Sequence, residues 1–155
     1  MNNQSKNIKV DIRPIKIEDR AQWEKLWEGY LDSYQTNLDA SITDNTWNRI
    51  HDVNEPVYAL GAYDGDKLIG FAQFLYHIST WTPKPFCYLH DLFTDPAYRG
   101  NGIGRTLIEA VVAHAKSHNS DYVHWLTMQS NKTAQALYNK IAENDGFIQY
   151  NIKIH

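Results

Sequence analysis

The sequence predicts a mixed α/β sheet covered by helices, built from 155 residues. Short apolar runs with two-residue alternation predict strands, and longer runs with apolar residues three and four positions apart predict helices. The chain is 43% hydrophobic and 13% aromatic, which is enough apolar material for one packed core. The predicted order is strand, two helices, three antiparallel strands, helix, strand, helix and strand. We expect residues 1–155 to form a single domain whose first seven or so residues, about 1–7, are flexible.

The first strand and the first two helices follow from apolar spacing. Alternation from Val10 to Ile17 predicts a strand, and its internal proline places that strand at a sheet edge or a bulge. Apolar residues at helical spacing predict a helix from Asp19 to about Tyr34 with a large aromatic face. A second, short helix is expected from Thr43 to His51, capped by Thr43 or Asp44.

The rest of the chain is predicted from similar runs and the turns that separate them. Val57 to Tyr63 and Lys67 to Ile78 flank an Asp-Gly-Asp turn, which is typical of a hairpin. The remaining predicted elements are a strand from Phe86 to Thr94, a helix beginning near Ile103, a strand from Tyr122 to Met128, a helix from Asn131 to about Glu143, and a closing strand from Gly146 to Ile154.

Composition and charge exclude several classes of protein. The 15 Lys+Arg and 18 Asp+Glu give a net charge of -3, so the chain lacks the basic surface expected for nucleic-acid binding. No stretch approaches the ~20 apolar residues of a membrane span, and the polar N-terminus lacks the apolar core of a signal peptide. The single cysteine, Cys87, cannot form an internal disulfide, and we expect it to be a buried strand residue. We therefore expect a cytoplasmic protein with neither a nucleic-acid nor a membrane partner.

A glycine-rich turn, Arg99-Gly100-Asn101-Gly102-Ile103-Gly104-Arg105, connects a predicted strand to a predicted helix. The glycines allow close approach of a ligand, and the unpaired amides at a helix N-terminus favour an anion such as a phosphate. The alternative is that they only permit a tight connection. A dinucleotide-binding turn requires a glycine where residue 105 is arginine, and a Walker loop requires Gly-Lys-Ser or Gly-Lys-Thr, which the sequence lacks.

Three ordered motifs resemble the GCN5-related N-acetyltransferase (GNAT) superfamily. Arg99-x-x-Gly102-x-Gly104 resembles its pyrophosphate loop, Tyr88-Leu89-His90-Asp91-Leu92-Phe93-Thr94 its central splayed strand, and Asn131-x-x-Ala134-x-x-Leu137-Tyr138-x-Lys140 its last motif. Further segments resemble its branch of histone, polyamine and D-amino-acid acetyltransferases: Leu26-Trp27-x-x-Tyr30-x-x-x-Tyr34, His77-Ile78-Ser79-Thr80-Trp81 and Val123-His124-Trp125. The resemblance implies a central mixed, mostly antiparallel sheet that is splayed at its middle, with helices on both faces.

The resemblance also implies how acetyl-CoA is held. The pantetheine arm is expected to pair with the backbone of Leu92, Phe93 and Thr94 like an added strand. The pyrophosphate is expected on the amides of the glycine-rich turn, from Gly100 through Asn101, Gly102 and Ile103 to Gly104, beside Arg99 and Arg105. Asn131 matches the position whose side chain reaches the pantetheine, and no metal is expected.

Acetyl transfer to an amine requires a proton acceptor for the amine and an acid for the coenzyme sulfur. Tyr138 matches the superfamily's general acid, and its hydroxyl stays protonated at neutral pH. His90 and Asp91 are both candidate bases, but strand alternation should send them to opposite faces, so at most one should face the site. Glu28 on the first helix is a third candidate, and a water chain is the remaining alternative. Gly146 follows Tyr138 by eight residues instead of the usual four, which predicts about one extra helical turn over Ile141 to Asp145.

The acceptor side of the site is predicted from aromatic and acidic residues. Trp27, Tyr30, Tyr34 and Trp81 are expected to form an aromatic wall that attracts a cationic amine, with Glu28 beside it. The alternative for the helix aromatics is ordinary core packing. The sequence thus predicts an N-acetyltransferase for a small-molecule primary amine such as a polyamine or an amino acid, working by direct transfer in a ternary complex. Alternatives are a protein or histone lysine acetyltransferase and a non-catalytic CoA-binding module, and a homodimer is expected from the closing strand and the aromatic surface.

Overall fold

A computed structural model describes residues 8–155 of the chain. These residues form two compact units, one ending at Trp125 and one spanning Leu126–His155, and each is described separately. The expected flexible terminus at about residues 1–7 lies outside the described residues. None of the helices in the described part is both long enough and apolar enough to span a bilayer.

The first unit contains a five-stranded sheet in the order β1-β2-β3-β4-β5. Neighbouring strands are antiparallel except β4 and β5, which run parallel, so the predicted mixed and mostly antiparallel sheet is confirmed. The first strand lies at the edge, as its proline predicts. The strands are β1 (Val10–Pro14), β2 (Val57–Asp64), β3 (Lys67–His77), β4 (Phe86–Thr94) and β5 (Val123–His124).

Two helices connect β1 to β2. A single 3₁₀ turn at Ile17–Asp19 leads into α1 (Arg20–Ser33), which matches its predicted bounds closely. The second helix, α2 (Ala40–His51), begins three residues before the predicted start. Asp39 caps it, because its carboxylate accepts a 2.8 Å hydrogen bond from the amide of Ser41, so the prediction of Thr43 or Asp44 as the cap was wrong.

Helices cover both faces of the sheet, as the resemblance implied. Side chains of adjacent strand residues point to opposite faces. On β3, Gln73 accepts a hydrogen bond from Trp23 of α1, whereas the ring of Phe74 packs against His114 of α3 (Ile103–Ser117). The α1 face and the α3 face are therefore the two sides of one sheet. A single 3₁₀ turn at Pro96–Tyr98 precedes α3.

The aromatic residues of α1 and α2 form most of the core on the α1 face. Trp23 is fully buried, stacks on Trp27 with ring centroids 5.6 Å apart, and contacts Trp47 of α2 at 5.0 Å. Trp27 and Trp47 are 6% and 5% exposed. The main contribution of these indoles to stability is therefore the burial of apolar surface. The expectation of core packing is confirmed for Trp23.

Two irregularities shape the end of β4. The β3–β4 register pairs Phe74 with Leu89 but Gln73 with Asp91, so His90 is an extra residue in a β-bulge. On its other edge, β4 pairs with β5 at only two positions, Cys87 with Val123 and Tyr88 with His124, within the described part of the chain. The last six residues of β4 therefore extend beyond its partner, which gives the splayed strand pair implied by the resemblance. The predicted strand from Tyr122 to Met128 is only two residues long.

The second unit contains one helix, α4 (Lys132–Ile141), and irregular backbone on both sides of it. The predicted extra helical turn is wrong, because the helix ends at Ile141 and residues 142–145 are not helical. The predicted closing strand from Gly146 to Ile154 is also not formed by the described chain. Its alternating apolar side chains are exposed instead, Ile152 at 90% and Ile154 at 95%.

Candidate active site

The glycine-rich turn combines open space at its glycines with the first backbone amides of a helix. Gly100 and Gly102 have φ angles of 81° and 75°, in the left-handed region that favours glycine, and a Cβ at either would meet nothing within 4 Å. Gly102 immediately precedes α3, and the amide of Thr106 donates to its carbonyl at 3.0 Å. The amides of residues 103–105 precede this first helical bond and have no partner within the helix. An open turn with helix-start amides is suited to a phosphate.

Of the two arginines that flank the turn, Arg99 is held against it. Its Nε donates to the carbonyl of Thr94 at 3.2 Å, and its guanidinium lies 5.4 Å from the centroid of the Phe93 ring. Arg105 pairs with Glu109 one helical turn further on, at 2.9 Å. Asn101 closes the turn through a 2.8 Å bond from Nδ2 to the carbonyl of Tyr98. Arg99 is thus fixed where β4 ends and the turn begins, whereas Arg105 lies along the helix.

His90 and Asp91 act as a pair in the structure. His90 Nδ1 donates to Asp91 Oδ1 at 2.9 Å, because an ionised carboxylate can only accept. The prediction that alternation separates them was wrong, since the bulge at His90 interrupts the alternation. The His90 side chain is 56% exposed and that of Asp91 is 9% exposed. The pairing leaves Nε2 of a neutral His90 as a free acceptor, which is the arrangement of a general base oriented by a carboxylate.

A buried relay holds the Asp91 carboxylate in place. Gln73 Nε2 donates to Asp91 Oδ2 at 2.8 Å, and Trp23 Nε1 donates to Gln73 Oε1 at 2.7 Å. Gln73 is 2% exposed and Trp23 fully buried, so both bonds lie away from water. Sequence reasoning missed Gln73. The available signal was its position as the one amide side chain within the apolar run from Leu68 to Leu75.

The Asp91 carboxylate influences the groups around it. Its hydrogen bond and its charge raise the pKa of His90 above the ordinary value, although partial burial acts in the opposite direction. Burial, followed by the same carboxylate charge, raises the pKa of Tyr30, so that hydroxyl remains protonated. The ordinary imidazole pKa already lies near neutrality, and the direction of this shift favours the protonated form of His90.

A small cavity opens in front of this pair. Its volume is about 210 Å³, below the roughly 300–1,000 Å³ typical of pockets for drug-sized ligands. His90 and Asp91 of β4 line it with residues of α1, α2, β2 and β3. The apolar residues of the lining are Trp27, Leu38, Ile42, Val57, Phe74 and Leu75. Such a cavity can accept a small, partly apolar molecule next to the imidazole.

The predicted aromatic wall is formed in part. Trp27 stacks on Tyr30 with centroids 5.4 Å apart, and Tyr34 meets the edge of Tyr30 at 5.1 Å. The prediction of Trp81 as a member was wrong, because its side chain is 86% exposed and, among the described residues, has no ring contact with the other three. Glu28 lies on the exposed side of α1 and does not line the cavity. Trp27 lines the cavity but also belongs to the core.

Cys87 is fully buried in β4, as expected. Burial raises the pKa of its thiol to about 11, against the smaller opposing effect of a hydrogen bond with Tyr76. A thiol with that pKa is neutral near pH 7 and a poor nucleophile. The structure therefore provides no support for an acetyl-cysteine intermediate.

In the second unit, the last motif folds as a capped helix. The Asn131 side chain accepts a 3.3 Å bond from the amide of Ala134 and so caps α4. Tyr138 lies in the middle of α4 and is half-buried.

The comparisons with known proteins identify the family to which the chain belongs. Residues 20–142 match the sequence pattern of the Acetyltransferase (GNAT) family. The chain belongs to this family and is an N-acetyltransferase, so the resemblance found in the sequence is confirmed.

Individual relatives are similar over different lengths. The D-amino-acid N-acetyltransferase of Saccharomyces cerevisiae is 31% identical over 147 residues, covering 93% of this chain and 91% of the relative. The thialysine N-epsilon-acetyltransferase of Sus scrofa is 31% identical over 93 residues, which are 60% of this chain and 54% of that one. The first agrees with the branch indicated by the sequence.

Solved structures share the fold. A ribosomal-protein-alanine N-acetyltransferase from Brucella melitensis superposes with a TM-score of 0.75 at 20% identity, over 94% of this chain and 100% of that one. The AAC(6')-Iy enzyme, solved with a CoA bisubstrate analogue, superposes with a TM-score of 0.79 at 17% identity, over 95% and 99% of the two chains.

Proposed function

We propose that the protein transfers the acetyl group of acetyl-CoA to the primary amine of a small molecule, by direct transfer in a ternary complex. The observation that carries this proposal is the His90–Asp91 pair on the wall of a cavity of about 210 Å³. An imidazole oriented by a carboxylate is suited to removing a proton from an attacking amine. The small cavity favours a small acceptor over a folded protein surface.

The turn before α3 fits the phosphates of the coenzyme. The open space over Gly100 and Gly102 and the helix-start amides leave room for a pyrophosphate, and Arg99 adds a fixed positive charge. The unpaired edge of β4 at Leu92, Phe93 and Thr94 is a backbone to which the pantetheine amides can hydrogen-bond. Because Arg105 and Asn131 lie in segments that resemble the family's motifs, we propose them as further coenzyme contacts.

His90 Nε2 accepts a proton from the amine as its nitrogen attacks the thioester carbonyl. The new C–N bond forms, the C–S bond breaks, and the sulfur leaves with the bonding electrons. Tyr138, the general acid implied by the family motif, donates its proton to that sulfur. A backbone N–H near the bulge in β4 is suited to stabilising the carbonyl oxygen while it carries negative charge.

The acceptor class follows from the cavity and from the relatives. Acidic and aromatic groups beside the cavity, Asp91 and Tyr30, favour a cationic amine. Enzymes named for D-amino acids and for thialysine are among the similar proteins, and both names describe small amines. We therefore propose an amino acid or another small primary amine as the acceptor.

The direct test measures CoA thiol release with acetyl-CoA and a panel of amino acids, polyamines and lysine peptides. We expect His90→Gln to lower kcat by about 10²–10⁴-fold at neutral pH while acetyl-CoA affinity is retained. Tyr138→Phe should likewise lower kcat with little change in that affinity. Lys116→Ala, which removes an exposed charge from α3, serves as the control. Turnover that is unchanged in His90→Gln would exclude His90 as the base.

A further inference from the structure

Arg49 is a cation in the cavity that the proposed chemistry does not use. It lies in the last turn of α2, where Ile42, Thr46 and Arg49 follow one another at spacings of four and three and so share one helical face. All three line the cavity that also contains His90 and Asp91. One helix thus contributes an apolar group, a hydroxyl and a guanidinium to the acceptor side.

The guanidinium of Arg49 is only weakly engaged by the protein. Its ion pair with Glu55 spans 4.0 Å from Nε to Oε1, at the limit of such contacts, and its side chain is 54% exposed. By contrast, Arg105 and Glu109 approach to 2.9 Å. A guanidinium carries five N–H donors in a planar fork, so Arg49 retains donors for a carboxylate.

The lining of the cavity therefore includes both a negative group and a positive group. Asp91 and His90 come from β4, and both Asp91 oxygens are already bonded, to Gln73 and to His90. The positive group comes from α2, a different element. Apolar residues supply most of the remaining lining, among them Leu38 and Leu75. A ligand that matches all three parts has an amine, a carboxylate and an apolar side chain on one small framework.

We propose that Arg49 binds the α-carboxylate of an amino-acid acceptor, which places the α-amine at His90 and the side chain against the apolar lining. This inference rests on the proposed function, because it names the acceptor class of the same site. Arg49 and a carboxylate form two parallel hydrogen bonds, and Thr46 supplies a hydroxyl on the same helical face. Arg49 thereby discriminates amino acids from amines of the same shape that lack the carboxylate.

The test compares three matched acceptors: leucine as either enantiomer, leucinamide and isoamylamine. With the wild-type protein, kcat/KM should be about tenfold or more higher for leucine than for the other two. Arg49→Ala should remove this preference, mainly through KM for leucine, and should change kcat/KM for isoamylamine less than twofold. Arg49→Lys, which retains the charge without the fork, should recover part of the preference. Lys25→Ala removes an exposed cation from α1 and should behave as wild type.

Equilibrium binding of leucine in the presence of CoA, measured by calorimetry, separates this inference from the proposed function. Leucine binding that requires Arg49 supports the inference even if no acceptor is acetylated, in which case the proposed function alone fails. Equal use of leucine and isoamylamine by the wild-type protein would overturn it. The inference would also be overturned if Arg49→Ala lowered kcat/KM equally for all acceptors, or if leucine binding did not depend on Arg49.

Discussion

Asp91→Asn tests the pairing on which the proposed mechanism depends. Asp91 accepts from two donors, His90 at 2.9 Å and Gln73 at 2.8 Å, whereas asparagine offers one oxygen for both. If the oxygen stays with Gln73, the new amide N–H faces His90 Nδ1 and moves the imidazole proton to Nε2, where the base must be free. A hydrogen bond to a charged group contributes about 1.5–3 kcal/mol. Because the imidazole is 56% exposed, we discount this to about 1–2 kcal/mol.

That discounted value corresponds to a loss of about 5- to 30-fold in kcat/KM at neutral pH. The pH profile provides a second readout. Asp91 raises the pKa of His90, and the base works when neutral, so the wild-type rate should rise with pH through that raised pKa. In Asp91→Asn the rising limb should move to lower pH, and in His90→Gln it should disappear. Initial rates of thiol release from pH 5 to 9 check both, with acetyl-CoA affinity as the control for folding. If Asp91→Asn kept kcat/KM within twofold of wild type and the rising limb of its pH profile did not move, the functional pairing of His90 with Asp91 would be refuted.

Three further predictions follow from other features. Gln73→Leu leaves the fully buried Trp23 N–H without its acceptor and removes one of the two donors to Asp91, and should lower the free energy of unfolding by about 2–4 kcal/mol in urea titrations. The exposed Gln129→Leu should change it by less than about 0.5 kcal/mol, and a comparable small change in both variants would contradict the relay. Gly102→Val adds a side chain at φ 75° and should weaken CoA binding in calorimetry by about tenfold. Gly65→Val, at φ 61° with equally open space, is its matched control, and equal weakening in both would remove the turn from the binding site. If the expected homodimer forms through the exposed row at residues 148–154, the double variant Ile148→Asp, Ile152→Asp should be monomeric by light scattering, whereas a monomeric wild type would exclude the dimer.

The sequence predicted those elements whose determinants are local. The bounds of α1 and β4 follow from their own apolar spacing and flanking turns, and the glycine-rich turn is visible as a motif. The relay was not predictable in the same way, because Gln73 is 50 residues from Trp23 and 18 from Asp91 along the chain. In residues 146–154 apolar side chains alternate as they do in a strand, but this alternation shows only that the segment is able to pair with another strand. A strand also needs a neighbouring edge, and its availability cannot be read from the pattern.

The pairing of His90 with Asp91 was missed for another reason. A bulge is one extra residue, and it leaves no mark in an apolar pattern when the extra residue is polar. His90 occupies that position, so the alternation appears unbroken on either side of it. The family motif indicated both residues as candidates, but only the structure shows that Asp91 lies opposite Gln73 and that His90 is hydrogen-bonded to Asp91.

The bulge divides β4 into two parts that are out of phase. Before it, Leu89 lies opposite Phe74 on the α3 face, and after it, Asp91 lies opposite Gln73 on the α1 face. One strand therefore supplies Leu89 to the α3 face and the Asp91 carboxylate to the α1 face without changing direction. Losing a single residue at the bulge would turn the Asp91 carboxylate towards the apolar layer under α3. The pairing of Asp91 with Gln73 therefore depends on the number of residues in β4 as well as on their identity.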